Sequence, residues 1–260
     1  MDGFNWTIFK DQIVQVNNLI LFGLLIVLLV AAQFSSAKTV EEIIEKHVRA
    51  RGGKNKLGAI ESIYMEGVKE MMGKEVTVKI SKQQGKLSRT AVDTGVAYGF
   101  VLITDTMGWT YFSLRTPAAL EMPEEELADL QYELDIVGPL SEYVSKGHTA
   151  ELIGKDTVDG NRCYKIKLTL AGGNEMMFWI DTGTYLLLQS KLTFTKSSSG
   201  KKDSYKLYRD YKEVSGIQFA HSLQTKTPGA QQDSPDVEIV FHKILVNPRI
   251  DPVLFLPEQL

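Results

Sequence analysis

The sequence contains very little cysteine: Cys163 is the only one among 260 residues. A single cysteine excludes an internal disulfide and a zinc site built from clustered cysteines. Cys163 lies inside a predicted strand, where a lone cysteine usually packs as a small buried hydrophobic residue. Sulfur chemistry is therefore not expected to define this protein.

The local motifs of common enzymes are also missing. The sequence has no Gly-x-Ser-x-Gly, His-Glu-x-x-His or Walker pattern. Of its four histidines, His221 and His242 fall in neighbouring predicted strands and could meet. Two imidazoles without a third ligand are more typical of ordinary surface or interface residues. We therefore predict no catalytic residue, no metal and no cofactor, and we expect a protein that is not an enzyme.

The sequence also has no large excess of positive or of negative charge. The formal net charge is −3, and basic and acidic residues are interleaved along the chain. No basic stripe with interleaved aromatic residues is present, so nucleic acid is not expected as a partner. The acidic run Glu124–Glu126 lies at a predicted helix N-terminus, where the helix dipole explains it.

One long apolar run is present, near the N-terminus. Leu19–Ala32 is unbroken apolar sequence, and small residues follow at Ser35 and Ala37. The run is short for a membrane span and typical of a signal peptide, so we predict cleavage after Ala37 and export to the periplasm. Because Met1–Asn18 lacks a positive charge excess, the alternative is an inner-membrane anchor formed by residues 19–32. Residues 38–260 are then one domain.

An exported chain without a disulfide framework fits a bacterial envelope protein better than a small disulfide-stapled domain. Its strands are predicted by turn residues and alternation. Glu151–Phe194 reads as four antiparallel strands joined by turns such as Asp159-Gly160-Asn161. Tyr98–Thr104 is apolar on both sides, so both faces of that strand must be covered. About eleven strands are predicted, five before and six after a helical insert, which indicates a mainly β protein built on a curved antiparallel sheet.

Three helices are predicted beside the sheet. Thr39–Arg51 begins with a capping-box pattern and ends at Gly52-Gly53, which favours a Schellman-type cap. Pro123–Leu134 has proline at the first helical position and leucines on one side, and Leu140–Ser145 has the pattern of a second short helix. These two form the insert.

Methionine and aromatic side chains are frequent in the strands. Met176, Met177 and Phe178 stand together, and Phe100, Trp109 and Phe112 lie in the earlier strands. Such residues suit pockets that accept variable apolar ligands, although an ordinary core would explain most of them individually.

The layout resembles the LolA/LolB-type outer-membrane lipoprotein-sorting family, from Thr39 to Phe255. The resemblance rests on the helix that ends in Arg51-Gly52-Gly53-Lys54, on the strand and turn at 105–111, and on the hairpin at 158–164. It continues through 179–186, 210–217 and 253–257. These motifs describe the arrangement of the chain and contain no active site.

This resemblance implies an unclosed antiparallel β-barrel whose helical insert is a lid over a cavity for lipoprotein acyl chains. The family's lid is fastened by an arginine, for which Arg89 and Arg115 are candidates. We expect the Pro123–Ser145 segment to move on loading. The candidate cavity residues are Phe100, Leu102, Trp109, Phe112, Met122, Leu127, Leu130, Leu134, Met176, Phe178 and Leu187.

The resulting hypothesis is a non-enzymatic periplasmic carrier for lipids or lipoprotein acyl chains. Its expected partners are a lipid or lipidated protein and an acceptor protein in the inner or outer membrane. The alternative is an envelope interaction module with a filled core and no cavity. The sequence makes no prediction of the oligomeric state.

Overall fold

The structure is a computed structural model that describes residues 38–71, 73–194, 202–226 and 237–257. The predicted signal segment, residues 1–37, lies outside these ranges. Within them, no helix combines the length and the apolar character needed to cross a membrane.

One antiparallel sheet dominates the described residues, and it is not closed into a barrel. The strands follow the order β6-β5-β4-β3-β2-β1-β13-β12-β11-β10-β9-β8-β7. Their bounds are β1 Ser62–Met71, β2 Lys74–Gln83, β3 Leu87–Asp93, β4 Tyr98–Thr104, β5 Gly108–Phe112, β6 Leu120–Glu121, β7 Thr149–Val158, β8 Asn161–Thr169, β9 Glu175–Asp181, β10 Leu187–Phe194, β11 Lys202–Val214, β12 Ile217–Lys226 and β13 Val237–Val246.

The sheet therefore consists of two meanders joined where β1 pairs with β13. At this junction the register shifts between Glu66 and Gly67. A Cβ atom on Gly67 would clash with the carbonyl oxygen of Val240, so only glycine allows the two strands to approach this closely.

The helices are short. They are α1 Val40–Ala50, α2 Lys54–Gly58 and α3 Glu124–Leu130, with 3₁₀-helices at Gln131–Leu134 and Pro252–Phe255. The predicted helix at Thr39–Arg51 is confirmed, and so is its cap: the Gly53 N–H donates to the Val48 carbonyl at 2.9 Å, and that of Gly52 to the Arg49 carbonyl at 3.1 Å.

The structure corrects two predictions. The sheet has thirteen strands where about eleven were expected, partly because β6 is only two residues long and carries no periodic signal. Residues 140–145 form turns and not a helix. Glu142 lies in the left-handed region at φ 53°, and six residues are too few to stabilise an isolated helix.

The connection between β6 and β7 has a special position. These two strands are the opposite edges of the open sheet, so residues 122–148, here called the bridging segment, run from one edge to the other. The segment contains α3 and the first 3₁₀-helix. It covers the face of the sheet that we call the inner face.

Strand β4 shows how the two faces are covered. Ile103 packs on the inner face with Leu127, Leu130 and Leu134 of the bridging segment. Phe100 and Leu102 point to the outer face, where Ile250, Leu254 and Phe255 pack with them. The expectation that both faces of this strand are covered is therefore confirmed, with the C-terminal segment as the outer cover.

Candidate functional site

A cavity of about 510 Å³ lies between the inner face and the bridging segment. Ligand sites commonly measure about 300–1,000 Å³, whereas close-packed interiors leave few voids larger than a water molecule. Strands from both meanders contribute apolar side chains to its wall, among them Ile63, Met65, Ile80, Leu223, Ile239 and Phe241.

The bridging segment is held over this cavity by an ionic cluster that we call the clasp. Glu133 accepts from the ammonium groups of Lys82 and Lys206, each at 2.6 Å. Lys82 lies on β2 and Lys206 on β11, and three strands separate β2 from β11 in the sheet. One carboxylate therefore connects the bridging segment to both halves of the sheet.

The clasp is mostly withdrawn from solvent. The side chains of Lys82, Glu133 and Lys206 are 17%, 22% and 27% exposed, and all three line the cavity. Burial alone would raise the pKa of Glu133, but the two ammonium groups outweigh burial and hold that pKa well below its usual range. Glu133 is therefore ionised, and its charge outweighs burial and raises the pKa of Lys206.

Further polar contacts fasten the bridging segment on either side of the clasp. Gln131 donates to the Thr104 carbonyl at 3.1 Å, and Asn174 donates to the buried carboxylate of Asp129 at 2.9 Å. These hydrogen bonds anchor the segment to the end of β4 and to the turn before β9.

Asp135 anchors the next part of the segment. Lys146 lies 2.7 Å from one carboxylate oxygen, and the side-chain amide of Gln84 donates to the other at 3.2 Å. Gln84 also accepts from the Ile136 N–H at 2.8 Å. This part of the segment is thus held by side-chain contacts and not by a sheet ladder.

Arg51, the residue that directly follows α1, lies in the cavity wall. Its guanidinium donates to the Val137 carbonyl of the bridging segment. Burial lowers the pKa of Arg51, and the phenol groups of Tyr211 and Tyr208 oppose that effect. Arg51 is the arginine that contacts the segment over the cavity.

His47, one turn earlier on α1, is 3% exposed and also lines the cavity. Its Nδ1 donates to the Tyr185 carbonyl at 2.8 Å. Burial, together with the charge of Arg51, lowers the pKa of His47 to about 4. The imidazole is therefore neutral at pH 7 and adds no charge to the site.

Two tyrosines of β11 complete the polar part of the wall. The hydroxyl of Tyr211 donates to the Leu187 carbonyl at 2.8 Å, and that of Tyr208 lies 3.0 Å from the Ser190 Oγ. Both rings line the cavity. Burial raises the pKa of Tyr211, so its hydroxyl stays protonated.

The structure brings four of the sequence-predicted residues to the cavity: Leu130, Met176, Phe178 and Leu187. Phe100, Leu102 and Trp109 lie instead in the outer-face cluster with Leu87 and Tyr111.

The remaining four predicted residues lie elsewhere. Leu127 and Leu134 pack with Ile103 beneath the bridging segment. The Met122 side chain contacts the Gly108 position, and Phe112 lies against Gly99. None of these four is part of the cavity wall. Ligand contact by any of the eleven stays a prediction.

The candidate lid-fastening arginines lie away from the bridging segment. Arg89 is on the outer face, where it stacks on Phe100 and donates to the Leu254 and Leu256 carbonyls. It therefore fastens the C-terminal segment. Arg115 is exposed beside Phe112.

Sequence reasoning missed the polar residues of the site, namely Arg51, Lys82, Glu133, Lys206 and Tyr208. The sequence of β2 carries one weak signal. Val76, Val78, Ile80 and Lys82 occupy every second position of this strand and so share a face, on which Val76 and Val78 are buried. A cation in an inward position must find a partner, and the sequence does not show which one.

A second, smaller cavity of about 370 Å³ lies beside the bridging segment. It shares Tyr132, Asp135 and Pro139 with the first, and His148 and Asn174 belong to its own wall. The two cavities therefore flank the same piece of chain.

The histidines of β12 and β13 do not form a joint site. His221 is buried and its Nδ1 contacts the Phe219 carbonyl, whereas His242 is exposed and lies 3.8 Å from Glu66. Across the described ranges, no three His, Cys, Asp or Glu side chains are grouped closely enough to hold a metal ion.

No protein-family model matches the sequence, and no curated protein is similar to it. Solved structures are similar in fold. A DUF1329 family protein from Desulfovibrio piger has a TM-score of 0.55 at 15% identity, over 85% of this chain and 98% of that one. A LolA superfamily protein from Nitrosomonas europaea has a TM-score of 0.52 at 10% identity, over 84% and 98%.

An outer membrane lipoprotein-sorting protein domain from Vibrio parahaemolyticus matches at a TM-score of 0.49 and 11% identity, over 82% of this chain and 94% of that one. The fold assignment rests on the first two structures. The chain has a LolA/LolB-like fold, as its sequence layout predicts.

Proposed function

We propose that this protein is a non-enzymatic carrier that binds acyl chains of a lipid or a lipidated polypeptide between its inner face and the bridging segment. The observation that carries the proposal is the cavity of about 510 Å³, with its apolar wall and its fastened cover. The fold is similar to that of a LolA superfamily protein, which is consistent with this proposal.

The energetics fit a reversible carrier. Burying a sixteen-carbon acyl chain would contribute roughly 12 kcal/mol, at about 0.8 kcal/mol per methylene group. Release requires part of that binding free energy to be offset by a conformational change of the protein. Opening of the bridging segment, which separates Glu133 from Lys82 and Lys206, would be that change. In this proposal the bridging segment acts as the lid.

The compartment and the partners belong to the same proposal. Residues 1–37 would direct export and be removed, which places the carrier in the periplasm. In the alternative, residues 19–32 remain and anchor it in the inner membrane. Cargo would pass to an acceptor protein in the inner or outer membrane.

The test is direct identification of bound lipid. Native mass spectrometry of the purified mature protein should show co-purifying lipid in the wild type. The substitution Ala220→Phe places a ring in the cavity wall and should abolish that lipid. The matched control, Ala118→Phe, introduces the same ring at an exposed alanine and should retain it.

Two outcomes would contradict the proposal, the first its function and the second its site. Wild-type protein that emerges without lipid and binds none when exposed to vesicles would favour an envelope interaction module. Equal lipid content in both variants would show that the lipid is bound elsewhere than in this cavity.

A further inference from the structure

The charges on the cavity wall are not balanced. Three of the lining side chains are cationic, Arg51, Lys82 and Lys206, and two are acidic, Glu133 and Asp135. The two lysines share one carboxylate, that of Glu133. Burying such a surplus of positive charge without a counter-charge costs free energy, and a purely hydrocarbon ligand supplies no counter-charge.

Asp135 makes no close ion pair with Arg51, and its charge acts on the guanidinium only from a distance. Lys146, which lies outside the cavity wall, occupies one oxygen of this carboxylate, and Gln84 occupies the other. Among the described residues, no carboxylate lies within 4.0 Å of the Arg51 guanidinium, and its one side-chain hydrogen bond is to the Val137 carbonyl. A guanidinium has five N–H donors, so most of the hydrogen-bonding capacity of Arg51 is available to a ligand.

The cations share the cavity wall with two phenol groups. Tyr208 and Tyr211 lie on β11, and both line the cavity together with Arg51 and Lys206. The Tyr211 hydroxyl donates to the Leu187 carbonyl, and the Tyr208 hydroxyl lies 3.0 Å from the Ser190 Oγ. The wall therefore combines a guanidinium and two phenol groups with its apolar side chains.

We propose that the occupant is an amphiphile with an anionic oxygen headgroup, a carboxylate or a phosphate, which binds at Arg51 beside Tyr208 and Tyr211. Its hydrocarbon chain lies along the apolar wall formed by residues such as Ile63, Met65 and Ile239. This inference rests on the proposed carrier function and specifies its ligand class. Arg51 would both contact the bridging segment and recognise the cargo.

The direct test compares two probes of equal chain length, hexadecanoate and hexadecanol, on the wild-type protein. A charge-assisted hydrogen bond is expected to make hexadecanoate bind about tenfold more tightly or better. Inorganic phosphate, the headgroup chemistry without a chain, should not displace hexadecanoate, because the chain provides most of the affinity.

Variants locate the effect at Arg51. Arg51→Gln should weaken hexadecanoate binding about tenfold and change hexadecanol binding less than about threefold. Arg51→Lys, which keeps a positive charge, should restore part of the preference. Arg49→Gln, two residues earlier at the end of α1, is the matched control. Arg49 is exposed and paired with Glu45, so this variant should bind both probes like the wild type.

The wild-type comparison does not depend on any variant folding. Equal affinity for the two probes would overturn the anionic-ligand inference while leaving the carrier function intact. Binding of neither probe would overturn both proposals. Displacement by phosphate alone would also overturn the inference, because the site would then be a simple anion site.

Discussion

At the residue scale, the site is defined by polar side chains at strand positions that face the cavity. Alternation shows that Phe100 and Leu102 share a face with each other, and that Val101 and Ile103 share the opposite face. It does not show which face encloses the cavity, because a shift of one residue exchanges the two faces. The most aromatic face of β4 is the outer one, which the C-terminal segment covers.

The clearest prediction at this scale concerns His47. Its pKa is about 4 in the folded protein and near 6.5 when the chain is unfolded. As the pH falls from 6.5 towards 4, the unfolded chain binds a proton that the folded one does not. The free energy of unfolding should therefore fall, by about 3 kcal/mol at the lower end of this window.

Urea unfolding of the wild type and of His47→Gln at several pH values measures this contribution. Glutamine does not titrate and can still donate to the Tyr185 carbonyl, so the stability difference between the two proteins should shrink as the pH falls. His242→Gln, at an exposed site, is the control and should follow the wild type. A pH-independent difference would show that His47 titrates normally in the fold.

At the element scale, the bridging segment was predicted in part. Proline, the acidic run and the leucine spacing predicted a helix over Pro123–Leu134, whereas α3 covers Glu124–Leu130 with Pro123 as its N-cap, and a 3₁₀-helix follows. What holds the segment in place did not follow, because Glu133, Lys82 and Lys206 are far apart in the sequence. Pairing between distant charges is a property of the folded chain.

The clasp should be essential for closure of the segment. Glu133→Gln leaves Lys82 and Lys206 without their carboxylate in a largely buried place. Removing one partner of such a group should lower the free energy of unfolding by about 3 kcal/mol. Hydrogen exchange in residues 124–140 should rise more than in the sheet.

The matched control is Glu45→Gln, which breaks an exposed ion pair with Arg49. Such pairs contribute little, so stability should change by less than about 1 kcal/mol, and exchange in the bridging segment should be unaffected. Equal effects of the two substitutions on the segment would mean that the clasp does not hold it.

At the scale of the whole molecule, the open sheet creates the site. Pairing of β1 with β13 joins the two meanders, and the segment that connects the two sheet edges spans the opening. The wall of the cavity thus comes from strands that are distant in sequence. Filling the cavity should therefore stabilise the molecule as a unit.

Ligand binding should raise the free energy of unfolding with the logarithm of the ligand concentration once that concentration exceeds Kd. At a hexadecanoate concentration of one hundred times Kd, the gain should be about 2.7 kcal/mol, which corresponds to a rise in Tm of about 8 °C for a domain of this size. Thermal unfolding across a hexadecanoate series measures it. Ala118→Phe should show the same rise and Ala220→Phe none, and an unchanged wild-type Tm would contradict binding to the folded state.

The sequence by itself determined α1 and most of the strands, since turn residues such as Asp159-Gly160 and the strand alternation act locally, but it did not determine β6 or the turns at 140–145. It also indicated the LolA/LolB-like layout. Only the tertiary structure decided which face is inner, which cations approach Glu133 and that Arg51 reaches the cavity. The physical reason is range: propensities and turns depend on neighbouring residues, whereas enclosure and charge pairing depend on the order of strands across the whole sheet.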